Sequence, residues 1–347
     1  MVGEHLSTAR SLRRHALLLT ALALAGTSGC GADDPEPGPG GGAASSTPSA
    51  AAGEVSADVT LFEYEDEGRI RLRVTSARSV GPVRVSEVSY PSPRGGTVTA
   101  TMATPAADAH DVAVLLLHGM PSDRNDMRIP GIVYACAGAT TLAIDAPYAR
   151  SGRGSITFTP RDRDDQVQLI TDLRRGIDLL DQELGPEGAR HVSLVGISHG
   201  AAMSALLAGI DDRVGSAAVI VGDGGLVAHL TDDDGTPAGS LSTVPERRKD
   251  AWLDAMRPIE PLLYVGDSEA AFLFLNGRHD TQVDVADAEE LHRAAGEDSE
   301  VRWYDTGHDL TADAFRYQFE WVGEQAGLDP ERLAGCIEDH AGLDQFS

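Results

Sequence analysis

The stretch that decides the fold is His191-Val-Ser-Leu-Val-Gly196-Ile-Ser198-His-Gly200-Ala-Ala-Met203. It opens with an apolar run typical of a buried strand, and small helix-forming residues follow Gly200 as far as Ile210. Between them stands Gly-x-Ser-x-Gly, which predicts a tight strand-to-helix turn that projects the Ser198 hydroxyl outward. Bulk at Gly196 or Gly200 would collide with the neighbouring strand and helix. We therefore predict that Ser198 is a nucleophile; the alternative interpretation is an ordinary loop serine.

Apolar runs of the same kind recur on both sides of this stretch. Continuous Val, Leu and Ile runs are typical of strands buried on both faces of a parallel sheet. Helical spacing separates them, most clearly in the segment that begins near Asp164 and ends before Gly185. The predicted parallel strands are Val112 to Leu117, Thr141 to Ile144, Val192 to Val195, Ala217 to Val221 and Phe272 to Leu275. From Val59 to Ala103 the residues alternate, which predicts antiparallel strands before an α/β fold with helices on both faces of its sheet.

Further strand ends carry the polar groups that a nucleophilic serine needs. The Phe272 strand leads to Asp280, and a later apolar strand ends in Gly307-His308 before a final helix. A histidine takes the serine proton, and a carboxylate fixes the tautomer of the histidine and stabilises its charged form. The order Ser198, Asp280, His308 therefore predicts a catalytic triad. Asp223, which follows an earlier strand, is the competing acid.

These motifs resemble the α/β-hydrolase family over about residues 83 to 325, with a mostly parallel central sheet and antiparallel strands at its N-terminal edge. Within the family, Asp145-Ala-Pro-Tyr148 is similar to the dienelactone hydrolase and acyl-peptidase-like branches. The resemblance implies that the loop His118-Gly-Met120-Pro121 supplies an oxyanion donor, the backbone N–H of Met120, and that the His199 N–H supplies the second. For the His118 side chain we prefer a structural role that orders this loop.

The function implied by the resemblance is that of a serine hydrolase acting on a small-molecule carboxylic ester through an acyl-enzyme. It implies no metal and no organic cofactor; Asp232, Asp233 and Asp234 lack the spacing of a calcium loop and are interpreted as a solvated turn. A peptidase or an acyltransferase would use the same triad, and a catalytically silent binding protein could keep the same fold.

The first residues resemble an export signal. Arg10, Arg13 and Arg14 precede an apolar run from Ala16 to Ala25 that is too short to span a bilayer. Thr27-Ser-Gly-Cys30 resembles the lipobox of bacterial lipoproteins, which implies that Cys30 is acylated and anchors the protein to the cell envelope. An ordinary secretory signal cleaved after Ala25, or a twin-arginine signal, is the alternative.

Composition divides the rest of the chain. Residues 30–54 are rich in Gly, Pro, Ser and Ala and predict a flexible tether, because they cannot bury enough apolar surface to offset the entropy of ordering. The predicted segments are a signal peptide at 1–29, the tether at 30–54, a hydrolase domain at 55–326 with a cap-like insertion at about 224–261, and a C-terminal tail at 327–347.

The net charge of the chain limits the kinds of molecule that it can bind. With 54 acidic against 28 basic residues the formal net charge is -26, and a chain that acidic repels nucleic acid and anionic lipid. We expect no nucleic-acid partner, and membrane contact only through the lipid anchor. Beyond Cys30 the chain has only Cys136 and Cys336, which could form a disulfide or remain two buried thiols.

Overall fold

A nine-stranded sheet organises the computed structural model, which describes residues 55–65, 68–107, 111–152, 156–185, 189, 192–227 and 244–342. The strands lie in the order β1-β2-β3-β5-β4-β6-β7-β8-β9. Their bounds are Arg73–Val80 (β1), Val83–Pro91 (β2), Thr97–Pro105 (β3), Ala113–Leu117 (β4), Thr140–Ile144 (β5), Val192–Ile197 (β6), Val214–Ile220 (β7), Ala271–Gly277 (β8) and Glu300–Tyr304 (β9). Strands β1 to β3 pair antiparallel and β4 to β9 run parallel, which confirms the predicted sheet.

The parallel strands do not alternate between apolar and polar residues because both faces of the sheet are buried. Every residue of β4 and β5 is buried. Successive side chains point to opposite faces, so Leu115 packs into one apolar layer and Leu116 into the other. A continuous apolar run is therefore the pattern that a strand between two helical layers requires.

Eight α-helices lie among the described residues and cover both faces. Their bounds are Arg128–Ala137 (α1), Pro147–Arg150 (α2), Arg161–Leu184 (α3), His199–Ala208 (α4), Glu246–Met256 (α5), Val285–Ala295 (α6), Ala312–Ala326 (α7) and Pro330–His340 (α8). Helices α3 and α4 contribute to one apolar layer, and α1, α7 and α8 to the other. No helix in the described part of the chain is long and apolar enough to cross a membrane.

Two segments differ from the sequence prediction. Val59–Phe62 is a 3₁₀ helix and not a strand, because the Asp58 carboxylate accepts the Thr60 N–H at 3.1 Å and the Phe62 ring packs edge-on against Tyr264. The predicted C-terminal tail contains α8, an amphipathic helix capped by Asp329. The folded domain therefore extends at least to residue 340 and does not end at 326.

The insertion at about 224–261 is described in part. Helix α5 is held against the domain by Trp252, which is fully buried and donates from its indole nitrogen to Asp162 at 2.9 Å. Residues 228–243, with the predicted turn of Asp232 to Asp234, lie outside the described residues. The signal peptide, Cys30 and the tether also lie outside them.

A disulfide joins the two remaining cysteines and decides the alternative that the sequence left open. Cys136 in α1 and Cys336 in α8 are bonded, with their Cα atoms 5.8 Å apart and a sequence separation of 200. Leu333 and Ile337 of α8 pack in the same apolar layer as α1. The bond therefore fastens the last helix to the domain.

We expect reduction of this disulfide to lower the stability of the protein. Closing a loop of more than 100 residues removes entropy from the unfolded chain, a stabilisation of about 4–5 kcal/mol in the chain-entropy account. Thermal unfolding of the full chain with and without reductant measures it. A double variant with Cys136→Ser and Cys336→Ser is the control and should unfold at one temperature in both conditions. An equal response of wild type and double variant to reductant would contradict the expectation.

Candidate active site

The turn after β6 holds Ser198 in a conformation that few residues adopt. Its φ is 54° and its ψ is -122°, and its backbone N–H donates to the Ile220 carbonyl of β7 at 2.8 Å. A non-glycine residue in this region stores strain of about 1–3 kcal/mol that the surrounding structure must offset. The hydrogen bond to β7 and the start of α4 at His199 fix the turn, as predicted for a nucleophile elbow.

Two glycines make the turn possible because the backbone approaches too closely for a side chain. A Cβ at Gly196 would lie 2.3 Å from the Gly200 carbonyl oxygen, and one at Gly200 would lie 2.4 Å from the Leu117 carbonyl oxygen. The sequence predicts that bulk at either position would collide with the neighbouring strand and helix. In the structure a side chain at Gly196 would meet helix α4, and one at Gly200 would meet strand β4.

Asp280 and His308 form a hydrogen-bonded pair at the same edge of the sheet. His308 Nδ1 lies 2.8 Å from Asp280 Oδ2, and the Asp280 side chain is only 2% exposed. Burial opposes ionisation of Asp280, but the hydrogen bonds from His308 and from the backbone N–H groups of Gln282 and Val283 outweigh it and lower the pKa of the carboxyl. The acid is therefore held ionised beside the imidazole.

A close approach of two loops brings this pair together. A Cβ at Gly277, the last residue of β8, would lie 2.1 Å from the Gly307 carbonyl oxygen. The His279 N–H donates to the Thr306 carbonyl at 2.8 Å. The loops after β8 and β9 are thus bonded to each other immediately before Asp280 and His308.

The loop after β4 lies against the elbow. A Cβ at Gly119 would lie 3.4 Å from the Ser198 Cβ and 3.3 Å from the Ile197 carbonyl oxygen. Among the described residues no acceptor takes the Met120 N–H. Ser198 Oγ makes no hydrogen bond to His308 in the described part of the chain, and in unliganded enzymes this contact is often long.

Solved structures with the same architecture were found. An acetyl xylan esterase from Paenibacillus sp. R4 superposes with a TM-score of 0.64 at 16% identity, over 76% of this chain and 91% of that one. The chain has the α/β-hydrolase fold. Acetyl xylan esterase 1 from Thermoanaerobacterium sp. JW/SL YS485 also gives a TM-score of 0.64 at 16% identity, over 77% and 91% of the two chains. No protein-family model and no curated protein matches the sequence.

A third similar structure is described as an esterase. The cold-adapted esterase from an Arctic intertidal metagenomic library gives a TM-score of 0.55 at 17% identity, over 73% of this chain and 98% of that one. At these identities the likeness establishes the α/β-hydrolase fold alone. The resemblance of the sequence motifs to particular branches of the family stays a prediction.

The competing acid, Asp223, follows a different strand from Asp280. Among the described residues Asp280 is the carboxylate hydrogen-bonded to His308. Asp223 follows β7, is 4% exposed, and lies close enough to Glu260 to influence the charge of that group. Asp223 is thus buried beside a second carboxyl group, and its surroundings differ from those of Asp280.

The two histidine side chains next to the elbow both have structural partners. His199 Nε2 lies 2.8 Å from the Gln166 side-chain oxygen of α3, so this ring is directed toward α3. His118 Nε2 accepts the Ala146 N–H at 3.1 Å, and Nδ1 lies 2.8 Å from the Gly119 carbonyl oxygen. Burial lowers the pKa of His118, which keeps the ring neutral. These contacts agree with the structural role expected for His118.

Glu260 is a part-buried residue with a shielded carboxyl group, which the sequence analysis missed. One carboxylate oxygen accepts the Val227 N–H at 2.8 Å, and the other is buried without a hydrogen-bond partner among the described residues. Burial raises the pKa of Glu260 to about 8 because it outweighs the backbone hydrogen bonds from Val227 and Leu226; the negative charges of Asp223 and Glu290 add smaller contributions in the same direction. Nothing in the local sequence, Arg257-Pro-Ile-Glu260-Pro, indicates that this carboxyl is buried.

This raised pKa predicts that stability falls as the solution becomes alkaline. The unfolded carboxyl loses its proton near its usual pKa of 4.5, whereas the folded one keeps it up to about pH 8. Between these values the folded state binds more protons, so the free energy of unfolding decreases with rising pH. Glu260→Gln cannot ionise and should therefore lose part of this decrease.

Thermal unfolding at pH 5 and pH 8.5 measures the effect. The expected result is a smaller drop in melting temperature for Glu260→Gln than for wild type. Glu290→Gln, which removes a nearby charge on an exposed position, is the matched control and should keep most of the drop. Identical pH dependence in wild type and Glu260→Gln would rule out a protonated Glu260.

Proposed function

We propose that the protein hydrolyses carboxylic esters through an acyl-enzyme on Ser198. The observation that carries the proposal is the part-buried Asp280–His308 hydrogen bond, located at the sheet edge where Ser198 stands on its strained turn. An ionised carboxylate beside an imidazole, next to an elbow serine, is the arrangement used for acyl transfer.

In the proposed reaction His308 accepts the Ser198 proton while Oγ attacks the ester carbonyl. Asp280 holds the imidazole with its Nδ1 protonated and stabilises the imidazolium. The Met120 and His199 backbone N–H groups donate to the oxyanion of the tetrahedral intermediate. His308 then returns the proton to the departing alcohol, and a water molecule activated in the same way releases the acid and restores Ser198.

The choice of esters is supported by the three similar structures named above, each of which is described as an esterase. These similar structures do not specify the acyl group or the alcohol of the substrate. We propose a small-molecule ester as the substrate, and we expect no nucleic-acid partner because a net charge of -26 repels phosphate groups. A peptidase, an acyltransferase and a silent binding protein are the outcomes that the following experiment separates from ester hydrolysis.

We expect a fluorophosphonate to modify Ser198 once per chain. Intact mass of the labelled full chain should show a single adduct that Ser198→Ala abolishes. Hydrolysis of p-nitrophenyl acetate should fall by about 10³- to 10⁴-fold in Asp280→Asn, because the wrong imidazole tautomer then faces the serine.

Asp223→Asn is the matched control for the acid. It changes a buried aspartate at the neighbouring strand end and should keep activity within about threefold, since no tautomer depends on it. Greater loss in Asp223→Asn than in Asp280→Asn would reverse the assignment of the acid. A folded wild type that neither labels nor hydrolyses esters or amides would favour the silent binding protein.

We further propose that the protein is exported and anchored by a lipid on Cys30. The support is the lipobox-like Thr27-Ser-Gly-Cys30 after an apolar run, together with the disulfide, since disulfides persist mainly in oxidising compartments. Labelling with radioactive palmitate in a bacterial host tests it. We expect label in wild type and none in Cys30→Ser, with Cys336→Ser as a control that stays labelled; equal labelling of Cys30→Ser would contradict the anchor.

A further inference from the structure

The segment Asp145-Ala146-Pro147-Tyr148 after β5 bonds to the loop after β4 at several points. The Asp145 carboxylate accepts the Arg124 backbone N–H at 3.0 Å and forms an ion pair with its guanidinium. The Ala146 N–H donates to His118 at 3.1 Å. Strands β4 and β5 are parallel neighbours, so both segments leave the same edge of the sheet. The loop at residues 118–124 is therefore fixed from the β5 side.

The neutral imidazole ring of His118 carries one N–H proton, and its hydrogen-bond partners determine which nitrogen carries it. Nε2 accepts from the Ala146 N–H, so it carries no proton, and Nδ1 carries it. The Nδ1–H then donates to the Gly119 carbonyl at 2.8 Å. The neutral His118 ring thus links the 145–148 segment to one particular carbonyl of the loop.

Tyr148 reaches the same carbonyl from α2. Its hydroxyl lies 3.1 Å from the Gly119 oxygen and 3.2 Å from His118 Nδ1. Because Nδ1 is already a donor, the hydroxyl donates to the Gly119 oxygen. The Tyr148 ring is 3% exposed and stands edge-on to the rings of both His118 and His199. The Gly119 carbonyl therefore accepts two side-chain hydrogen bonds.

The direction of this carbonyl sets the direction of the next N–H. In a trans peptide the carbonyl oxygen and the N–H that follows it point to opposite sides, and the Gly119–Met120 bond is trans. Gly119 lies against the Ser198 side chain, as described above. The hydrogen bonds from His118 and Tyr148 hold the Gly119 oxygen toward Tyr148. They therefore also hold the Met120 N–H in the opposite direction, away from Tyr148.

We propose that Tyr148 is a positioning residue, which with His118 holds the Gly119–Met120 peptide so that the Met120 N–H serves as an oxyanion donor. The proposal rests on the ester hydrolysis proposed above. Tyr148 does not touch the substrate in this role. Its hydroxyl stabilises the peptide orientation that the transition state needs, which predicts an effect on kcat and not on KM.

Tyr148→Phe tests the role because it removes the hydroxyl and keeps the ring. We expect kcat for p-nitrophenyl acetate to fall about 5- to 20-fold, the effect of one lost hydrogen bond, with KM within about twofold of wild type. A trifluoromethyl ketone adds to the serine as a hemiketal whose oxyanion occupies the same donors. Its affinity should fall by the same factor as kcat/KM.

Tyr90→Phe is the matched control. Tyr90 is also buried, and its hydroxyl donates to the Asp172 carbonyl at 2.8 Å, on β2 and away from the elbow. This variant loses a comparable hydrogen bond and should keep kcat within about twofold. Equal losses of kcat in the two variants would reduce Tyr148 to a structural residue and overturn the proposal.

If Tyr148→Phe does not fold, two variants of His118 test the same positioning of the Gly119–Met120 peptide. The amide nitrogen of His118→Asn can take the place of Nδ1 and donate to the Gly119 carbonyl, whereas His118→Leu cannot. The asparagine variant should keep at least about threefold more kcat than the leucine variant. Equal activity in these two variants would overturn the proposal.

The activity and labelling of the wild-type protein distinguish failure of the positioning role from failure of the proposed ester hydrolysis. An active, fluorophosphonate-labelled wild type with an unchanged Tyr148→Phe overturns the positioning role alone. A folded wild type that is inactive and unlabelled overturns ester hydrolysis and the positioning role together.

Discussion

The close backbone contact between the elbow and strand β4 is the constraint on which the site depends. Gly200 meets the Leu117 carbonyl, and Gly196 meets Gly200, at distances where no Cβ fits. Because α4 starts this close to β4, the loop that follows β4 is brought against Ser198. The strained φ of Ser198 is tolerated because the hydrogen bond to Ile220 and the burial of α4 determine the turn from both sides. The packing of α4 against β4 and the position of Ser198 therefore depend on the same close backbone contact.

Much of this could be predicted from the sequence because its signals are local. Continuous apolar runs identify strands covered on both faces, and the glycines around Ser198 identify the elbow before any contact is known. Parallel strands put their carboxyl ends at one edge, so Asp280 and His308 could be expected to meet. The hydrogen bond between them is present, and its catalytic use remains proposed.

What the sequence did not predict depends on partners far apart in the chain. The disulfide needs α1 and α8 to pack together across 200 residues, and no spacing rule gives that. The raised pKa of Glu260 is caused by burial of its carboxyl against Leu226 and Val227, more than 30 residues earlier in the chain, a contact that the local sequence does not indicate. The contact of Tyr148 with Gly119 joins the ends of two adjacent strands. The local sequence pattern therefore predicts the fold and the candidate site residues. Their orientation and protonation depend on tertiary contacts and could not be predicted.

The disulfide also changes what a cut in the chain would do. It closes a covalent ring from Cys136 to Cys336, and the ring contains β5 to β9 with Ser198, Asp280 and His308. A protease that cleaved one peptide bond anywhere inside the ring would leave a single molecule, with both halves of the sheet still linked through sulfur. A chain nicked in this way therefore keeps all nine strands in one covalently linked molecule.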